Sequence, residues 1–262
     1  MPLGPGDLLV GAGLVVVAGI LSLVFGLGLE KRLAIAALRT AVQLLLVGYL
    51  LVFIFETASP LLIVAVVLLM TFAASRAAVQ RPSRAYRGIY VQTFVTLLIT
   101  GSATTAAVTQ VVIGVEPWYQ PQYVIPLLGM VFGNSLTGVS LCLDHLLEML
   151  DERRDRIEMA LALGATAWEA ARDSLRSAVR RGMIPIINSM TVAGIVALPG
   201  MMTGQILAGA DPLTAVAYQI IVMFMISAAT ALGCIVTALL VFRRLFNARH
   251  QLMASRIVVR GE

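Results

Sequence analysis

Apolar residues run along this chain in blocks of about 20, separated by short polar breaks, and that is the length a helix needs to cross the hydrocarbon core of a bilayer. Seven blocks qualify, to within one: 8–29, 33–55, 61–78, 89–113, 123–143, 183–207 and 213–242. The last is long enough to tilt or to run beyond the bilayer. One segment interrupts the pattern. Residues 144–182, DHLLEMLDERRDRIEMALALGATAWEAARDSLRSAVRRG, hold 15 of the chain's 33 formal charges. Within it Leu146, Leu147, Leu150, Ile157, Leu161, Trp168 and Leu175 recur at helical spacing, which predicts two amphipathic helices meeting near Gly164. Glu152 and Arg156 have the i,i+4 spacing of a helical ion pair, and the apolar face needs a cover.

Composition agrees with a polytopic membrane protein: 262 residues, 59% of them hydrophobic and 13% charged, with a mean hydropathy of +0.92. A net charge of +5 would suggest nucleic acid in a soluble protein. Here the placement of the arginines explains it instead, so nucleic acid is set aside. The connections with Glu30, Lys31, Arg32 and Arg39, with Arg76, Arg81, Arg84 and Arg87, with the 144–182 loop, and with Arg243, Arg244, Arg249, Arg256 and Arg260 all fall on one side. The opposite connections carry Glu56, Glu116 and Asp211 and no Lys or Arg. The positive-inside rule then places the N-terminus outside and the C-terminus in the cytoplasm. The first block has neither the basic flank nor the cleavage site of a signal peptide and is expected to remain as a span. Cys142 and Cys234 lie far apart in apolar runs and read as small packing residues.

Polar and helix-breaking residues inside the spans bound the chemistry. Block 89–113 carries Gln92, Thr93, Thr96, Thr100, Ser102, Thr104, Thr105, Thr109 and Gln110, which serve either close helix packing or a pathway. Asn134 is costly to leave in lipid and must face a partner or a cavity. In 183–207, Pro185 stands near the start and Pro199–Gly200 late, and such breaks mark gates or binding sites in transporters. Met190, Met201 and Met202 offer thioethers to a soft metal or act as adaptable filler; no metal site is assigned. The candidate pathway residues are Asn134, Ser135, Thr137, Asn188, Thr191, Met201, Met202 and Gln205. Asp7, Glu56, Glu116 and Asp211 sit at span ends, so a proton relay is disfavoured. No phosphate loop, HExxH or GxSxG is present, and His145 and His250 read as solvated, so a catalytic role is not expected. If ATP is consumed, another chain must bind it. Arg172, Arg176 and Arg180 form an i,i+4 basic stripe that suits either anionic lipid or a protein partner.

The segment EMALALG (158–164) resembles the E-A-A-x-x-x-G loop motif of ABC transporter permeases, with Glu158, Ala160 and Gly164 at matching spacing. Met159 replaces one alanine, and Pro185 lies farther from the glycine than the importer pattern places its proline, so import does not carry over. A wider resemblance lies in LRTAVQLLLVGYLL (38–51), GMVFGNSLTGVSL (129–141) and VALPGMMTGQILAGADPLTAVAYQIIVMFMI (196–226). These look like the FetB-type permeases, an iron-export ABC family with plant relatives tied to aluminium tolerance; Ala217 stands where members often carry a basic residue. The resemblance implies a homodimer paired with two copies of a cytoplasmic ATP-binding subunit that holds MgATP, no cofactor in this chain, and ATPase contact through Glu158, Ala160, Leu163, Gly164 and Ala165.

The expectation is therefore an all-α multi-pass protein of the cell membrane. A single transmembrane permease domain over 1–262 would contain the 144–182 coupling segment between its fifth and sixth helices. It would act as the permease of an exporter in iron or metal homeostasis. A nucleotide sugar or another solute is an alternative cargo. An ion-gradient-driven carrier and a membrane anchor or sensor are alternatives of a different class.

Overall fold

The computed structural model describes residues 4–57, 59–247 and 249–259; Arg260 and the side chain of Asp7 lie outside the described residues. The chain forms two compact units, Met1–Ser59 and Pro60–Glu262. The first is a hairpin of α1 (Pro5–Val24) and α2 (Glu30–Thr57). Its turn is tied by Ser22, whose hydroxyl donates to Glu30 Oε2 at 3.0 Å and accepts from the Leu29 amide at 2.9 Å. Glu30 in the first turn of α2 also meets the positive end of the helix dipole.

The second unit holds α3 (Pro60–Gln80), α4 (Ile89–Ala107), α5 (Pro121–Glu152), α6 (Arg154–Ala162), α7 (Ala167–Val192), α8 (Gly200–Leu207) and α9 (Pro212–Leu245). A π-helix over Val108–Ile113 extends α4. Two short strands, β1 (Arg84–Ala85) and β2 (Val258–Val259), pair antiparallel. The protein is all-helical apart from that pair among the described residues. Among the described residues, five helices are long and apolar enough to cross a membrane: α2, α3, α4 with its π-helical extension, α5 and α9.

Blocks 8–29 and 183–207 are not among those five. The described apolar part of α1 is Val10–Val24. Block 183–207 is not one helix. Helix α7 carries straight through Pro185, because Gly182 and Ile186 on either side of it are buried against neighbouring helices. The break comes at 193–199, where Gly194 takes a left-handed φ of 83° and Ala193 bridges to Ala197. Pro199 disfavours a helical Leu198, so the helix restarts only at Gly200 as α8.

The core is the mutual packing of α5, α7 and α9, with α3 and α4 against them. Leu143, Leu146, Leu147 and Leu150 on α5 are fully buried, so α5 keeps an apolar contact face for seven residues past the expected end of its span. Ala171, Leu175 and Ala178 of α7 are buried in the same cluster. The apolar face of the charged loop is thus covered by the chain itself. Cys142 and Cys234 are buried and free, with the Cys142 thiol donating to the Cys234 carbonyl at 3.6 Å. On α4 and its π-helical extension the hydroxyls of Thr100, Thr104 and Thr109 turn back to carbonyls one turn earlier at 2.7–3.0 Å, a use that serves packing.

Candidate functional site

Two regions of the second unit gather the candidate residues. One is the turn between α6 and α7. Helix α6 ends at Ala162, Gly164 takes φ +96°, and α7 opens on a capping box. There the Thr166 hydroxyl accepts from the Glu169 amide at 3.3 Å, and the Glu169 carboxylate accepts from the Thr166 amide at 2.8 Å. The bonds from the Thr166 amide and hydroxyl hold the Glu169 carboxyl below the ordinary range. The left-handed turn needs glycine, and nothing lies within 4 Å of where its Cβ would be. Leu163 is 83% exposed and Met159 61%. Glu158 is exposed on α6, Ala160 and Ala165 are half-buried, and Glu158 accepts from Arg154 Nε at 2.7 Å. The tip thus presents two large exposed apolar side chains, Met159 and Leu163, beside small residues.

The expected Glu152–Arg156 pair does not form, because α5 ends at Glu152 and α6 starts at Arg154 on a new axis. Glu152 instead faces Arg84 at 3.5 Å, and Asp151 accepts from Arg84 Nε at 2.8 Å. That bond raises the Arg84 guanidinium above its usual range, against the opposing effect of burial. Neither histidine is simply solvated. His145 Nε2 lies 2.9 Å from Ser177 Oγ, and His250 Nδ1 accepts from the Ala167 amide at 3.1 Å. Arg172, Arg176 and Arg180 are exposed, and none forms an ion pair among the described residues.

The second region lies between α5, α8 and α9. A cavity of about 510 Å³ is lined by Gln122, Tyr123, Gln205 and Tyr218 among apolar neighbours. A second, of about 300 Å³, is lined by Asn134, Ser189, Pro199, Gly200 and Gln219. Met130 and Met201 line both. The helix break at 193–199 opens the second cavity, since Ala193 and Ala197 are part of its wall. Asn134 is exposed toward it and donates to the Met130 carbonyl of its own helix at 2.8 Å. Other candidates are elsewhere: Ser135 is buried 3.4 Å from the Thr230 hydroxyl, and Thr137 accepts from Arg81 at 3.4 Å. Thr191 donates to the Ile187 carbonyl at 2.9 Å. Met202, Asn188 and Thr191 line neither cavity.

Gln219, not singled out by sequence reasoning, is 7% exposed, and neither its side-chain oxygen nor the buried side-chain oxygen of Gln205 has a hydrogen-bond partner among the described residues. The signal for Gln219 was an amide inside an apolar block. Both cavities carry neutral linings, in which amides, hydroxyls and thioethers supply the polarity.

The model of the Uncharacterised protein family (UPF0014) matches residues 5–246. The chain belongs to the UPF0014 family. Among its relatives, UPF0014 membrane protein YjkA of Bacillus subtilis is 39% identical over 91% of this chain and 94% of that protein. The Probable iron export permease protein FetB of Escherichia coli is 35% identical over 93% of each chain. Protein ALUMINUM SENSITIVE 3 of Arabidopsis thaliana is 34% identical over 92% of this chain and 88% of that protein. The resemblance to FetB-type permeases and their plant relatives therefore holds across the UPF0014 chain, and its membrane character agrees with the apolar helices. No solved structure matches the chain.

Proposed function

We propose that this UPF0014 chain is the permease subunit of an ATP-driven exporter, working as a homodimer with separate cytoplasmic ATP-binding subunits. The observation that carries the reading is the exposed turn at 158–165 joined to two long packed helices. A partner that grips Leu163 and the small residues around Gly164 would move α6. Because α5 and α7 are continuous and packed face to face, that motion would pass along them to the cavities beside α8. The distribution of basic connections supports a reading with this turn in the cytoplasm and the N-terminus outside. The name of the Escherichia coli relative supports iron export as the cargo assignment. The neutral cavity linings suit a cargo that sheds or masks its charge, such as a chelated cation, since hard bare cations favour carboxylate oxygens.

The test is reconstitution with the cognate ATP-binding subunit, measuring MgATP-dependent flux of iron species against a nucleotide sugar, for the wild type and Gly164→Leu. The expected result is iron efflux that Gly164→Leu abolishes or uncouples from ATP hydrolysis. Wild-type assembly and flux in Gly164→Leu would sink the coupling role, and flux of the nucleotide sugar alone would sink the cargo assignment.

A further inference from the structure

The segment after α9 folds back across the start of α7 and closes a network with the loops beside it. Asn247 builds its turn, with Oδ1 accepting from the Arg249 and Gln251 amides at 2.9 Å. Leu252 bridges to Phe246, and the Met253 amide donates to the Leu245 carbonyl at 2.7 Å. Farther on, β2 pairs with β1, and the neighbouring Arg84 is held by Asp151 at the end of α5. Phe242 packs edge-on against Trp168 and tilted on Phe246, with ring centroids 5.6 and 5.0 Å apart. The tail thus reaches α5 through β1 and reaches α7 directly.

The direct contact to the α7 terminus is His250. It holds a left-handed φ of 55°, and its Nδ1 accepts from the Ala167 amide, one of the first N–H groups of α7, which have no partner within the helix. A backbone N–H can only donate, so Nδ1 must carry the lone pair and the ring must be neutral. Protonation would set a donor against a donor and place a positive charge at the positive end of a helix. Charged groups on the elements meeting there include Glu169 on α7, already engaged by Thr166, Arg172 and Asp173 farther along α7, Arg249 and Arg256 on the tail, and Arg243 and Arg244 at the end of α9.

We propose that His250 is a positioning residue for the 158–165 turn: as a neutral imidazole it latches the C-terminal segment onto the start of α7, and the latch releases in acid. The inference rests on the coupling reading above only for its consequence, a turn that is held for its ATP-binding partner at neutral pH and loosened when the cytoplasm acidifies.

Asn is the informative replacement, because it tolerates left-handed backbone, offers a side-chain carbonyl as acceptor and does not titrate. Hydrogen exchange of the 165–169 amides in the purified full-length chain, corrected for intrinsic rates, is compared at about pH 8 and about pH 5.5, on either side of the ordinary imidazole range. The wild type is expected to lose protection in acid by about threefold to tenfold, the range of one hydrogen bond. His250→Asn is expected to stay protected at both values, and His250→Ala to be unprotected at both. The proposal is overturned if His250→Asn follows the wild type with pH, or if His250→Ala keeps wild-type protection. Failure of the wild type to bind any ATP-binding subunit would defeat the coupling reading instead, while the exchange result still decides the latch.

Discussion

Gly138 of α5 and Gly182 of α7 cross with their backbones in contact: a Cβ on Gly138 would lie 2.8 Å from the Gly182 carbonyl oxygen, and one on Gly182 would lie 2.7 Å from the Gly138 oxygen. Helix α9 closes the same crossing, since the Gly182 Cβ would also meet Cys234 Sγ at 2.6 Å and the Gly138 Cβ would meet Thr230 at 2.5 Å. Small residues let three helices approach at one point, and this is where α7 joins the charged loop to the rest of its helix.

Alanine at either position should force backbone apart from backbone. Gly138→Ala and Gly182→Ala are each expected to cost about 1–3 kcal/mol, seen as a lower Tm of the detergent-solubilised protein. Gly133→Ala is the control, because nothing lies within 4 Å of its Cβ, and helix propensity alone should leave it neutral or slightly stabilised. Equal melting of Gly133→Ala and Gly138→Ala would show that the crossing tolerates a methyl group.

Gln219→Leu separates cargo binding from packing. The Gln219 side-chain oxygen makes no hydrogen bond among the described residues, so its loss should leave Tm nearly unchanged. If the amide meets cargo in the cavity, transport should fall by up to about tenfold, the net worth of one hydrogen bond. Normal flux with an unchanged Tm would remove Gln219 from the pathway.

The capping box gives a prediction in both sequence and pH. Thr166→Ala removes the hydroxyl that accepts from the Glu169 amide and should cost about 1 kcal/mol, read as faster amide exchange over the first turn of α7. The Glu169 carboxyl is held below its ordinary range in the folded protein. Its stabilising effect is therefore present above the unfolded value and lost as pH falls through the folded one. The share of protection in this turn that Glu169 supplies should be lost only under strongly acidic conditions, below the ordinary carboxylate range. Glu169→Gln should flatten that acid limb.

Most of the long apolar helices were legible because a span's length is set by the bilayer, which acts on each segment alone, although blocks 8–29 and 183–207 are not among the five helices of spanning length. The loop helices and the turn at Gly164 were legible for a similar local reason: period 3.6 and a glycine after the last periodic residue. The partners of the loop were not. Glu152 has a correctly spaced Arg156, yet α5 stops between them and Arg84, far away in sequence, takes the acidic pair. Among the pathway candidates, Asn134, Met201 and Gln205 line the cavities, whereas Ser135 and Thr137 found partners on other elements. Which hydroxyl faces a cavity and which faces a neighbour depends on helix rotation, and one helix's residue types do not determine that.

The sequence by itself determined a multi-pass helical membrane protein with one long charged segment. Those properties follow from the free energy of each segment against lipid or water. Only the tertiary structure decided that α7 passes unbroken through Pro185, that the break falls at 193–199 beside two cavities, and that His250 closes the start of α7. Each of these is set by contacts between residues distant in the chain, where packing outweighs local propensity.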